Sequence, residues 1–256
     1  VSPLRARLSD VGIRIAALAA LLAVWWWATA RADSLFFPTP DKVFEAVWND
    51  WILDFGDSWS ENFQPSLKRL LLGFWLAAFL SVVIGIAIGR SRRFGDYVEP
   101  IIHFIRAIPP PAMLPLFIIL LGIDDVQKVV LIAVGVFPPI LLNTIEGVRS
   151  IDPQLFDTAR VFQVGRVRRV THVILPAAAP KIFAGLRISL SIAVILMVIS
   201  ELFAATDGLG FRILRASRTF QYVDLWAGII VLGVVGIVLN WLLSLVERRV
   251  LRWTVA

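Results

Sequence analysis

Long apolar runs separated by short polar connections dominate the chain, and they predict membrane-spanning helices at about 12–30, 67–89, 98–121, 128–145, 182–203 and 225–246. Each approaches or reaches the roughly 20 apolar residues needed to cross a hydrocarbon core. The polar connections alternate in sign. Arg5, Arg7 and Arg14 precede or enter the first run; Arg90, Arg92 and Arg93 follow the second; the stretch from Arg149 to Lys181 follows the fourth; and Arg248, Arg249 and Arg252 follow the sixth. The other side carries Asp33, Asp41, Glu45, Asp50, Asp54, Asp57 and Glu61, then Asp124 and Asp125, then Asp207 and Asp224. Positive residues stay cytoplasmic, so the pattern predicts an all-α membrane protein with both termini inside. Ala28-Thr29-Ala30 imitates a cleavage site for a secretory signal, but losing the first run would leave five spans and spoil the alternation. That run is therefore expected to stay.

Two stretches between spans have structure of their own. In the first external loop Thr39 can cap a helix opened by Pro40, and Val43, Val47, Trp51 and Phe55 recur every four residues. That stripe suits a helix lying on the outer membrane surface and equally one packed on the spans. The second stretch, 147–181, is arginine-rich. Asp152-Pro153 reads as a helix start, with Asp152 accepting from exposed amides and Pro153 lacking a hydrogen that would be orphaned anyway. Leu155, Ala159 and Phe162 share a face, small Thr158 and Ala159 leave room for a partner, and Gly165 is the expected helix stop. A second helix, about 167–174, leads into Leu175-Pro176. The result is a bracket tied at both ends to membrane helices and able to transmit force.

Composition narrows the classes. Of 256 residues, 58% are hydrophobic and 17% charged, with a formal net charge of +6, against about 25% charged in a soluble domain. The basic residues sit beside the spans, so they mark topology and not nucleic-acid binding. Ten tryptophans, several at the ends of runs, suit rings at headgroup level. With no cysteine there is no thiolate metal site or nucleophile. His103 and His172 lie far apart and form no H-E-x-x-H pair, and no G-x-x-x-x-G-K-[ST] phosphate loop is present, so neither metal nor nucleotide is expected on this chain. Neither long connection is large enough for its own core, and 1–256 reads as a single transmembrane domain.

Within the spans, Ile108-Pro109-Pro110-Pro111 and Pro115 should break the third and Pro138-Pro139 the fourth. Broken helices are tolerated where they line a cavity. Arg106, Pro109, Pro110, Met113, Pro138, Asn143 and Glu201 are therefore the candidates for a translocation pathway, Arg106 and Glu201 being charges expected within bilayer depth. Ser81, Gly85 and Gly89 form a small-residue face on the second span, suited to close helix contact within one subunit or between two.

Asp157-Thr158-Ala159, thirteen further residues and then Val173-Ile174-Leu175-Pro176 resemble the EAA loop of permeases from binding-protein-dependent ABC importers. Phe37-Pro38-Thr39-Pro40, Arg106-Ala107-Ile108-Pro109-Pro110, Leu114-Pro115-Leu116-Phe117 and Gly208-Leu209-Gly210-Phe211 resemble the nitrate/sulfonate/taurine branch. The chain departs from the loop pattern at Asp157 (glutamate in the family), Thr158 (alanine) and Gln163 (glycine). The resemblance implies the type I, MetI-like permease fold in a bacterial inner membrane, and a coupling helix formed by Asp152, Leu155, Phe156, Asp157, Thr158, Ala159, Arg160, Phe162, Gln163 and Gly165. It implies a second permease copy, two cytoplasmic ATPases carrying ATP and Mg, and an external binding protein. The cargo it implies is first an aliphatic sulfonate or taurine, then nitrate, bicarbonate or a vitamin-precursor pyrimidine. The rivals are a secondary transporter driven by an ion gradient, an intramembrane enzyme, and a permease of a neighbouring importer family.

Overall fold

The computed structural model describes residues 3–32 and 34–254; Asp33 lies outside the described residues, as do the side chains of Arg5, Arg7 and Arg14. In chain order the helices are α1 (Pro3–Ala32), α2 (Pro40–Ala46), α3 (Phe55–Ser58), α4 (Gln64–Gly89), α5 (Arg92–Ala107), α6 (Leu114–Leu121), α7 (Asp125–Arg149), α8 (Pro153–Val161), α9 (Arg166–Arg169), α10 (Leu175–Ala204), α11 (Leu209–Arg218) and α12 (Tyr222–Val250). Among the described residues, five helical stretches are long and apolar enough to cross a membrane. The number becomes six when Arg93–Ala107 and Pro110–Leu121, bent by 80°, count as one span. The bend has a covalent cause. Pro109 forces Ile108 out of the helical region, to φ −77°, ψ 119°.

The chain divides into two compact units, Val1–Ser60 with Arg212–Leu232, and Glu61–Phe211 with Gly233–Ala256. In the first, Trp226 stacks at a tilt against Trp25 and Phe37 and donates its indole N–H to the Phe36 carbonyl. The loop helix begins at Pro40, but Thr39 makes no capping bond to an amide. Its hydroxyl bonds to the Asp41 carboxylate and holds that group below the usual carboxylate range. Val43 and Trp51 are buried, and the Arg212 guanidinium lies 4.0 Å above the Trp51 ring. Phe55, the last of the predicted stripe, is exposed. A π-helical turn over Val47–Leu53 explains the slip, because i→i+5 winding rotates the chain off a four-residue stripe.

In the second unit α7 is the buried centre, packed by α4 and by α10. Small residues set both contacts, and the Ser81 face of α4 is used within this chain. Ser81 donates to the Phe137 carbonyl at 3.0 Å, and a Cβ on Gly85 or Gly89 would stand 2.7 Å from Thr144 or Val148. On the other flank a Cβ on Gly185 would stand 2.8 Å from Asn143, and Ser189 donates to the Val136 carbonyl at 3.2 Å.

Contrary to the sequence expectation, Pro138-Pro139 do not break the fourth span; α7 runs through them. Two missing N–H groups remove only the bonds to the Val134 and Gly135 carbonyls. Packing of α4 and α10 on both flanks holds the helix straight across that gap, and a serine hydroxyl from each flank also bonds one of the next two carbonyls.

Candidate functional site

The bend after α5 and the double proline of α7 come together at a cavity of about 250 Å³. Arg106, Pro110, Met113 and Pro138 line it with Val134 and Gly135. The two carbonyls that lost their helical donors thus belong to residues of the cavity wall, beside a guanidinium. No ion pair of Arg106 occurs among the described residues. The pairing offers an anion its counter-charge and a solute N–H or O–H group two acceptors. Pro109 is exposed at the bend itself. Asn143 stands apart from the cavity: its amide returns to the Pro139 carbonyl at 2.8 Å and its Cβ abuts Gly185.

Glu201 also lies elsewhere, at the end of the bundle opposite α8, and is 0% exposed. It accepts from the Ser66 hydroxyl at 2.8 and 2.9 Å, the Arg69 Nη1 at 3.0 Å and the Gly210 amide at 2.9 Å. Arg69, 4% exposed, also donates its Nε to Asp125 at 2.6 Å and its Nη2 to Asp207 at 2.5 Å. Ser66 in turn accepts from the Leu209 amide at 2.8 Å. The Gly208-Leu209-Gly210 motif is thereby explained. Gly208 sits at φ +103°, where a Cβ would be 2.6 Å from the Glu201 carboxylate, and a Cβ on Gly210 would be 2.8 Å from the Val198 carbonyl. Only glycine lets the loop wrap so closely around a buried acid. Sequence reasoning missed Arg69 as its partner, although a charge inside the predicted 67–89 span was the available signal.

The 147–181 segment leaves α7 through a turn into α8. Asp152 accepts from the Gln154 amide at 2.9 Å, with Pro153 at the first helical position. Leu155, Val161 and Phe162 are exposed, Phe162 by 77%, and form an apolar surface on a charged segment. Ala159 is only 4% exposed, so its small side chain serves packing within this chain and not the approach of a partner. Thr158, Asp157 and Arg160 are on the exposed side, the last two 3.2 Å apart. The helix stop is also displaced from its predicted position. Gln163 takes the left-handed conformation, φ +50°, and the amides of Gln163 and Val164 return to the Arg160 and Ala159 carbonyls at 3.0 and 2.9 Å. Gly165 is extended and opens α9. The residue standing where the EAA pattern has glycine is thus the one that needs glycine's conformation.

Residues 81–252 match the family model described as the binding-protein-dependent transport system inner membrane component. The chain belongs to that family. It is the transmembrane permease subunit of an ATP-driven importer, a multi-pass membrane protein whose kind works with ATPase and binding-protein partners. It is 41% identical over 237 residues (92% of this chain, 85% of the relative) to the putative aliphatic sulfonates transport permease SsuC of Bacillus subtilis. To the taurine permease TauC of Escherichia coli it is 34% identical over 250 residues, covering 95% of this chain and 90% of the relative. To the bicarbonate permease CmpB of Synechococcus elongatus it is 28% identical, covering 97% and 92%. All three relatives are transport permeases. In fold the permease is similar to inward-facing structures of the MetNI methionine ABC transporter. The TM-score is 0.57 at 20% identity, covering 73% of this chain and 93% of the other, which is the type I, MetI-like architecture.

Proposed function

We propose that the permease conducts a small solute with an anionic head group, an aliphatic sulfonate or taurine before nitrate or bicarbonate. The observation that carries the reading is the cavity of about 250 Å³ lined by Arg106, which has no ion pair among the described residues, and by Val134 and Gly135, whose carbonyls lose their helical donors to Pro138 and Pro139. The sulfonate, taurine and bicarbonate permeases among its relatives support it. A sulfonate fits the guanidinium through paired hydrogen bonds, and the amino group of taurine fits the carbonyls. A pyrimidine precursor lacks the fixed charge and falls behind.

The assembly follows the family plan. Two copies of this chain pair, each bound to a cytoplasmic ATPase that carries ATP and Mg, and both termini are cytoplasmic, in keeping with the basic clusters. The exposed Leu155, Val161 and Phe162 of the coupling segment enter the ATPase groove. Closure of the ATPases on ATP moves α8, and the cavity exchanges inward for outward access. The external binding protein then releases its ligand. Hydrolysis belongs to the ATPase, since this sequence has no phosphate loop.

The test is uptake into proteoliposomes carrying the permease, its ATPase and its binding protein, with labelled taurine, an alkyl sulfonate, nitrate and bicarbonate in competition. Sulfonate or taurine uptake that requires ATP and the binding protein is expected. Uptake that persists without the ATPase, or a preference for an uncharged solute, overturns the reading.

A further inference from the structure

A second cavity, of about 660 Å³, opens between the ends of α4 and α7 and the coupling helix α8. Four arginines reach it, Arg90, Arg149, Arg160 and Arg169, and one carboxylate, Asp157. Arg149 is held by Glu99 at 2.6 Å and Arg160 by Asp157 at 3.2 Å. Arg90 and Arg169 have no carboxylate partner among the described residues. Arg169 gives Nη2 to the Val164 carbonyl at 3.2 Å, and its Nε, shielded from solvent, has no hydrogen-bond partner. Two guanidinium charges are therefore left uncompensated around one cavity, one of them with a buried donor unused. A buried donor without a partner is costly, and a cavity that concentrates such groups is built for an anion.

We propose that this cavity binds the phosphodiester headgroup of an anionic phospholipid. Its placement in the inner leaflet rests on the orientation proposed above. Three features favour a lipid over a free anion. The cavity lies where two apolar spans end, at Gly89 and Arg149, which is the depth of a headgroup. Its wall also carries Val148, Ile151 and Phe156, an apolar surface a glycerol backbone covers and a free anion does not. Basic pockets between helices on the cytoplasmic side are suited to phospholipid headgroups, and paired guanidinium donors match phosphate oxygens. A headgroup seated there touches the ends of α4 and α7 on one side and the coupling helix on the other. It braces α8 against the spans and makes coupling depend on acidic lipid.

The experiment is native mass spectrometry of the permease–ATPase complex released from nanodiscs of phosphatidylcholine and phosphatidylglycerol. The wild type should retain phosphatidylglycerol in preference to phosphatidylcholine, and excess inorganic phosphate should not displace it. Arg90→Gln with Arg169→Gln should lower retention about twenty-five-fold, the product of two arginines each near five-fold. Arg90→Lys with Arg169→Lys should restore most of it, and the control Arg248→Gln with Arg252→Gln, on an exposed terminus, should change little. Three results overturn the proposal. One is no lipid preference in the wild type. Another is displacement by inorganic phosphate, which makes this a free-anion site. The third is retention by the permease alone that vanishes when the ATPase docks, which assigns the cavity to acidic side chains of the ATPase. None of these readouts depends on which solute is transported.

Discussion

Arg69→Met removes a guanidinium and keeps an unbranched side chain in its place, which isolates the charge. The wild-type arginine touches Asp125, Asp207 and Glu201, but these partners do not weigh equally. Asp125 and Asp207 have side chains 45% exposed, so water replaces the lost contact and little stability goes with it. Glu201 is 0% exposed. After the substitution its hydrogen bonds are those from the Ser66 hydroxyl and the Gly210 amide, and the nearby buried Lys128 acts on it only through space, so the contact counter-charge is lost. Removing one partner of a buried pair costs about 3–5 kcal/mol, a factor of more than about a hundred in the folding ratio. Denaturant unfolding of the detergent-solubilised permease, followed by tryptophan fluorescence, should show that loss. Arg69→Met with Glu201→Gln should recover most of it, because the remaining amide is neutral and still accepts from Ser66 and Gly210. A single variant within about 1 kcal/mol of wild type, or a double variant as unstable as the single, refutes the reasoning.

Gln163→Gly should stabilise the permease by roughly 1 kcal/mol, since glycine holds the left-handed conformation without the Cβ penalty; reduced stability in the same unfolding assay contradicts the turn described above. Gly208→Ala should cost about 3 kcal/mol, combining a positive φ with a Cβ pressed on Glu201, and wild-type expression and melting would exclude that contact. Arg106→Gln should raise the concentration of sulfonate needed for half-maximal uptake by about tenfold or more while leaving basal ATP hydrolysis of the assembled complex unchanged. An unaltered uptake curve removes Arg106 from the pathway.

The spans were legible because 20-residue apolar runs admit few other readings, and the bend at Ile108 because Pro109 restricts its neighbour whatever surrounds it. The same rule applied to Pro138 failed because the outcome there is tertiary. Ser81 and Ser189 come from helices that no local window around residue 138 contains. The helix start at Asp152 was readable from a two-residue signature; its end was not. Gly165 has the stronger intrinsic preference for a turn, yet the returning amides of Gln163 and Val164 put the left-handed residue two positions earlier. Arg69 escaped notice because it stands near the first residue of a predicted span, where charge is ordinarily assigned to the headgroups. Its burial follows from meeting Asp125, Glu201 and Asp207, which are far away in sequence.

The three polar features of the second unit are strung along one helix. Asp125 opens α7 in the Arg69 cluster, Val134 to Pro139 pass the pathway cavity, and Val148 and Arg149 end it at the arginine-lined cavity beside α8. Twenty-five helical residues span roughly 37 Å, and a helix broken at Pro138 would behave as two shorter pieces. We infer that the unbroken proline step is what carries motion of the coupling helix past the cavity to the far cluster. Ser81 and Ser189 hydrogen-bond this step from its two flanks, and neither belongs to the cavity wall, so they can be altered without touching the solute. Ser81→Ala with Ser189→Ala removes two hydroxyl donors worth about 0.6 kcal/mol each in a membrane interior. That is too little to unfold a well-packed bundle and enough to shift a hinge equilibrium several-fold. In proteoliposomes the double variant should therefore hydrolyse ATP normally and move less solute per ATP. An unchanged ratio of transport to hydrolysis shows that the step is passive, and that coupling reaches the cavity through α4 or α10 instead.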